Sequence, residues 1–260
     1  MRKRLVLVWI ILMLAGCNGK TGEVNITISA ASSMMDSLWE VKEKFEKTNP
    51  DIHIYYNFGG SGSLRRQIDQ GAPIDLFISA SKKEYTNLLE SKKALDGDAF
   101  LANTLVVVTP KDSTNSTIEE LTLSNGKLAI GTPGAVPAGT YAKEALENMG
   151  IWEEFAGRTV YAKDARHVLT LVAEGSVQAG IVYASDVLKT DDVKIAVEID
   201  PQYHRPIEYI LMKIERHNRI NQQEQQAINQ FYNFLLTDSN LDLFEKYGFI
   251  VVAKEKLVND

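Results

Sequence analysis

The chain of 260 residues has one cysteine, Cys17, so no disulfide can close within it. Its four histidines (His53, His167, His204, His217) are scattered, and no two stand at the spacing of metal ligands. A glycine–lysine phosphate loop is missing. Gly59-Gly60-Ser61-Gly62-Ser63 falls short of a nucleophile elbow, because position 63 is serine where Gly-x-Ser-x-Gly needs glycine. Basic residues are also in deficit: 28 Lys and Arg stand against 34 Asp and Glu. Without Arg2, Lys3 and Arg4 the balance is 25 to 34, a net charge of −9. Such a surface argues against nucleic acid or anionic lipid as a partner. Any anion site must therefore rely on local donors rather than on the overall field.

Only one apolar run is conspicuous, and it is at the N-terminus. Met1-Arg-Lys-Arg4 is basic, Leu5 to Leu14 is apolar but too short to span a membrane, and Leu14-Ala15-Gly16-Cys17 follows. This order reads as a signal peptide over residues 1–16. Leu-Ala-Gly-Cys is similar to the bacterial lipobox, which makes Cys17 the lipidated N-terminus of the mature chain. Residues 17–23 then form a polar tether. The expected location is outside the cell membrane, held to its outer face by the lipid on Cys17.

Beyond the tether, short segments rich in Val, Ile and aromatic residues alternate with segments of helical period. Strands are predicted at Val24–Ser29, Ile52–Asn57, Asp75–Ser79, Thr104–Thr109, Lys127–Gly131, Gly180–Tyr183, Val193–Val197 and Ile207–Lys213. Met34, Leu38, Val41 and Phe45 form one apolar helical face, which Asn49-Pro50-Asp51 ends. Further helices are predicted over 64–70, 82–91, 138–149 and 164–174 and around Ile228, Phe231 and Leu235. The expected fold class is α/β with mainly parallel sheets. If Thr104–Thr109 and Ile207–Lys213 are connectors, residues 24–106 with 212–260 form one lobe and 109–207 the other. A two-strand hinge of that kind lets a cleft open and close.

Small polar residues recur where a strand hands over to a helix: Ser29 to Ser33, Gly59 to Ser63, Pro133 to Gly139, and Lys163-Asp164-Ala165. Each alone reads as an N-cap. Together they suggest an anion site, because free N–H groups and the positive dipole end gather at helix N-termini. Strand carboxyl ends are also where ligands collect in open α/β sheets. About seven charge-assisted hydrogen bonds, each worth roughly 1.5–3 kcal/mol, offset the burial of a dianion. Arg65, Arg66 and Arg166 are rival ligands whose simpler role is a solvated helix face, and Asp164 is a capping candidate. Tyr183 ends a buried strand on the cleft side.

These segments, in order, resemble the molybdate-binding proteins of ABC transporters from about Asn25 to Phe249. The stretches that carry the resemblance include Ala30-Ala31-Ser32, Gly71 to Ala80, Leu105 to Val108, Val136 to Leu146, Gly180-Ile181-Val182-Tyr183 and Tyr247-Gly248-Phe249. The resemblance implies a two-lobed periplasmic-binding-protein fold of type II, with the oxyanion held between lobes. It further implies that Ser32 and Ser61 each offer a hydroxyl and an amide, Ala138 and Ala165 an amide, and Tyr183 its hydroxyl. Ser63 is an alternative to Ser61, because the family's second serine loop is often serine-rich. A bulkier residue such as valine is common where Ala165 stands, a change that an amide donor tolerates.

The expected function is capture of molybdate or tungstate outside the membrane and delivery to an ABC transporter permease, without catalysis and without a cofactor. The protein is expected to be a monomer with no nucleic-acid partner. The alternatives are a binding protein for sulfate or phosphate, or an exported serine hydrolase using Ser61 with Asp164 and His167.

Overall fold

A computed structural model describes residues 22–188, 190–215 and 221–252. Cys17 and the apolar run ahead of it lie outside these residues. Among the described residues, no helix is long and apolar enough to cross a membrane, and no three His, Cys, Asp or Glu side chains gather to hold a metal ion.

Two sheets organise the chain. The first contains β1 (Val24–Ala31), β2 (Ile52–Gly59), β3 (Leu76–Ser79), β4 (Ala94–Ala102), β10 (Glu208–Ile214) and β11 (Ile250–Val251), in the order β11-β4-β10-β3-β1-β2. The second contains β5 (Leu105–Pro110), β6 (Leu128–Gly131), β7 (Thr159–Ala162), β8 (Ala179–Tyr183) and β9 (Val193–Glu198), in the order β7-β6-β8-β5-β9. The chain leaves the first sheet between Ala102 and Leu105 and returns between Glu198 and Glu208. The architecture is α/β in two lobes.

Alternation alone predicts mainly parallel sheets, but both sheets are mixed. β1 runs parallel to β2 and β3, and β6 parallel to β7 and β8. β10 is antiparallel to β3 and β4, and β5 is antiparallel to β8 and β9. The reason lies in the connections. β5 and β10 each enter a sheet directly from the other lobe, so no right-handed crossover helix forces them into the parallel direction.

The helical spacings are met. In α1 (Met35–Thr48), Leu38, Val41 and Phe45 are buried, with Met34 sealing the 3-10 turn Ser32–Met34 just before it. Ile228, Phe231 and Leu235 are buried along α9 (Gln222–Leu235), and the rings of Phe45 and Phe231 meet edge to face at 4.8 Å. Each such side chain contributes about 1.5–3 kcal/mol by leaving water. The remaining α-helices among the described residues are α2 (Ser61–Asp69), α3 (Lys82–Glu90), α4 (Ile118–Leu123), α5 (Pro137–Asn148), α6 (Trp152–Ala156), α7 (Ala165–Ala173), α8 (Ala184–Val187) and α10 (Asp238–Lys246).

Candidate functional site

Strand register determines what meets at the cleft. β1 and β2 are parallel and end level, Ala31 opposite Gly59, so Ser32 and Ser61 emerge side by side from the first sheet. In the second sheet Gly131 of β6 pairs with Ala162 of β7, which sends α5 and α7 out from the same edge. β8 is parallel to β6 and ends there too, at Tyr183. The five residues selected from the sequence (Ser32, Ser61, Ala138, Ala165 and Tyr183) all line one recess between the lobes. Ser61 is fully buried, and the other four are buried.

The recess is rich in donors that lack protein acceptors. Ser61 and Ala165 are the first residues of α2 and α7, and Ala138 is the second of α5, behind Pro137, which has no N–H. First-turn amides have no acceptor inside their own helix. Among the described residues, no turn or loop carbonyl accepts from the amides of Ser32, Ser61, Ala138 or Ala165. The Ser61 hydroxyl accepts from the Ala80 amide at 3.1 Å, which leaves its own proton to donate. The Tyr183 hydroxyl is buried without any partner. Burial also drives its pKa well above the ordinary tyrosine value, so it is a neutral donor. The free space is about 10 Å³, on the order of one water-sized sphere.

A larger cavity of about 490 Å³ lies beside the recess, walled by Lys82, Lys83, Glu84, Tyr141, Arg205 and Glu208 among others. Size does not make it the better candidate. Two of its charged walls are paired within the protein, Glu84 with Arg65 at 2.5 Å and Arg205 with Glu144 at 2.9 Å.

The rival residues are engaged elsewhere. Arg65 binds Asp69 and Glu84, Arg66 reaches the Ser63 hydroxyl at 3.0 Å, and Arg166 pairs with Asp36 of the other lobe. None of the three lines the recess, and neither does Ser63. Asp164 caps α7 by accepting from the His167 amide at 2.8 Å. A Ser61–His167–Asp164 relay is not assembled among the described residues: no hydrogen bond joins Ser61 to His167, and the His167 ring takes the Lys163 amide at 3.5 Å rather than the Asp164 carboxylate.

Behind the recess is a polar layer that sequence reasoning did not single out. The Ser33 and Tyr209 hydroxyls are 2.8 Å apart. Asn103, at the passage between sheets, donates to the Ser185 hydroxyl at 2.7 Å and to the Tyr209 hydroxyl at 3.4 Å. Only the polarity of Asn103 between two apolar strands could have signalled it. Asp186 accepts the Tyr183 amide at 3.1 Å with one carboxyl oxygen, while the other is buried without a partner. Burial is the main cause that raises its pKa to about 7. The Tyr183 hydrogen bond and Arg166 oppose the rise, and Asp164 and Asp36 add to it.

The model of the bacterial extracellular solute-binding protein family matches residues 26–250. The chain belongs to that family. It is accordingly an exported solute-binding protein. It is 38% identical over 252 residues to a Bacillus subtilis protein with the provisional name ABC transporter substrate-binding lipoprotein YvgL, covering 92% of this chain and 93% of the other. It is 35% identical over 244 residues to the molybdate-binding protein ModA of Escherichia coli, covering 90% and 92%. Among solved structures, the periplasmic molybdate-binding protein of Azotobacter vinelandii superposes with a TM-score of 0.75 at 20% identity, over 86% of this solute-binding protein and 98% of that chain. At that identity the superposition speaks for the fold alone.

Proposed function

We propose that this solute-binding protein captures molybdate, and tungstate equally well, and hands it to an ABC transporter permease. In this reading Ser32 and Ser61 each give a hydroxyl and an amide, Ala138 and Ala165 an amide each, and Tyr183 its hydroxyl. The observation that carries it is the Tyr183 hydroxyl, buried and unpartnered in a recess lined by four unpaired first-turn amides. A buried donor without an acceptor costs about 1–3 kcal/mol, which an arriving oxyanion would recover. The likeness to ModA supports molybdate as that anion. A shell of donors alone favours a fully deprotonated dianion, because a protonated phosphate would bring a hydrogen with no acceptor. Sulfate is smaller and would leave the donors overstretched.

Lipidation of Cys17 would hold the protein, as a monomer, on the outer face of the membrane beside its permease. The likeness to a B. subtilis chain named as a lipoprotein supports this part of the reading.

Tyr183→Phe separates a ligand role from a packing role. Phenylalanine keeps the ring and removes the orphaned hydroxyl, so the unliganded variant should melt higher, by about 1–3 kcal/mol in stability. Molybdate affinity should fall by about 10- to 100-fold. Thermal melting with and without molybdate reads both effects. Affinity equal to that of the unmodified chain would move the site elsewhere.

A further inference from the structure

The N-terminus of α2 is capped in an unusual way. Its N-cap residue is Gly60, which has no side chain to accept a hydrogen bond. The acceptor comes from the other lobe: the Gly62 amide donates to the Ala135 carbonyl at 3.0 Å, and the Ser63 amide, bonded to the Gly60 carbonyl at 2.9 Å, also reaches the Ala135 oxygen at 3.3 Å. Arg66, one turn further along α2, donates to the neighbouring Gly134 carbonyl at 3.3 Å. A Cβ at Gly62 would lie 2.5 Å from the Gly134 carbonyl oxygen, and one at Gly60 would lie 2.6 Å from that of Ala135. Both obstacles are backbone, which cannot rotate aside. The two glycines flanking Ser61 therefore allow the lobes to touch backbone to backbone.

We infer that Gly60, Gly62 and the Ala135 carbonyl are positioning residues of the anion site, through which the second lobe caps the first lobe's ligand helix only while the lobes are together. The cap takes the amides of Gly62 and Ser63 and leaves that of Ser61, the residue before them, facing the recess. Anion affinity is then set in part by a contact that never touches the anion. When the lobes separate, the Gly62 amide passes to water, the Ser63 amide keeps only its bond to the Gly60 carbonyl, and Ser61 loses its fixed place opposite Ala138 and Tyr183. This inference rests on the proposed anion site, and the experiment below keeps the two apart.

The test uses the mature chain, Gly62→Ala, and Gly157→Ala as a control, since nothing lies within 4 Å of a Cβ at Gly157. Alanine in place of a helical glycine favours the helix, so unliganded Gly62→Ala should melt at the same temperature or higher. Its affinity for sodium molybdate should nevertheless fall at least about tenfold. Spin-label distances across the lobes should show closure by molybdate in the parent and control chains, and reduced closure in Gly62→Ala. The inference is overturned if Gly62→Ala closes and binds like the parent, or if its unliganded melting temperature falls along with its affinity. If the parent chain binds no molybdate, the proposed function fails, and the distances in unliganded protein still decide. A more compact parent than Gly62→Ala supports the cap, and equal distances refute it.

Discussion

Replacing both Ser32 and Ser61 with alanine is expected to weaken molybdate binding by about 10²- to 10⁴-fold. Each hydroxyl would donate to a doubly charged ligand in a site closed to water. A charge-assisted bond there is worth roughly 1.5–3 kcal/mol. The backbone amides survive both substitutions, so residual binding should remain. The single variants should differ in stability. The Ser61 hydroxyl accepts the buried Ala80 amide, so Ser61→Ala orphans that donor and should cost about 1–3 kcal/mol of folding stability. Among the described residues no such bond is present at Ser32, and Ser32→Ala should melt close to the parent chain. Since the two serines share one ligand, their effects on affinity need not add. Calorimetry and melting on both single variants and the double variant check this. Parent-like affinity in the double variant would remove the serines from the site.

The second large effect concerns pH. The Asp186 carboxyl is raised by burial to about 7 in the folded chain, from an ordinary value of 3.8. Between those values the folded state binds a proton that the unfolded state has released, so stability must fall as pH rises through this window. Below about pH 4 the contribution is fully present, and above about pH 7 it is gone. A shift of that size corresponds to about 4 kcal/mol at most. Asp186→Asn keeps an acceptor for the Tyr183 amide but cannot titrate, so its stability should be flatter than the parent's between pH 4 and pH 7. Denaturant unfolding across that range reads the difference. Identical slopes in the two proteins would show that Asp186 stays charged in the fold.

Which parts were legible in the sequence follows from physics. α1 and α9 could be read because their faces are apolar at helical spacing, and Leu38, Val41, Phe45 and Phe231 are buried accordingly. β4 could not, since Leu95-Asp96-Gly97-Asp98 has neither alternation nor strand-forming residues. It is held by pairing with β10 and β11. Strand direction was also illegible, because antiparallel entry of β5 and β10 is a property of the chain path. The candidate site was unusually legible: its elements are helix starts, marked locally by serine, glycine and Pro137. The layer behind it was hidden, because Ser33, Asn103, Ser185 and Tyr209 lie far apart in sequence and meet only through the passage between sheets. The cap on α2 was hidden for the same reason. Gly60 and Gly62 read in the sequence only as part of a helix start, whereas their immediate neighbour is the backbone of Gly134 and Ala135.

The most direct measurement is a calorimetric titration of the mature chain, beginning at Cys17, with molybdate and then, separately, with sulfate and phosphate. One molybdate per chain is expected, with sulfate and phosphate weaker by at least about tenfold. No heat with molybdate, or sulfate or phosphate binding as tightly, would contradict it.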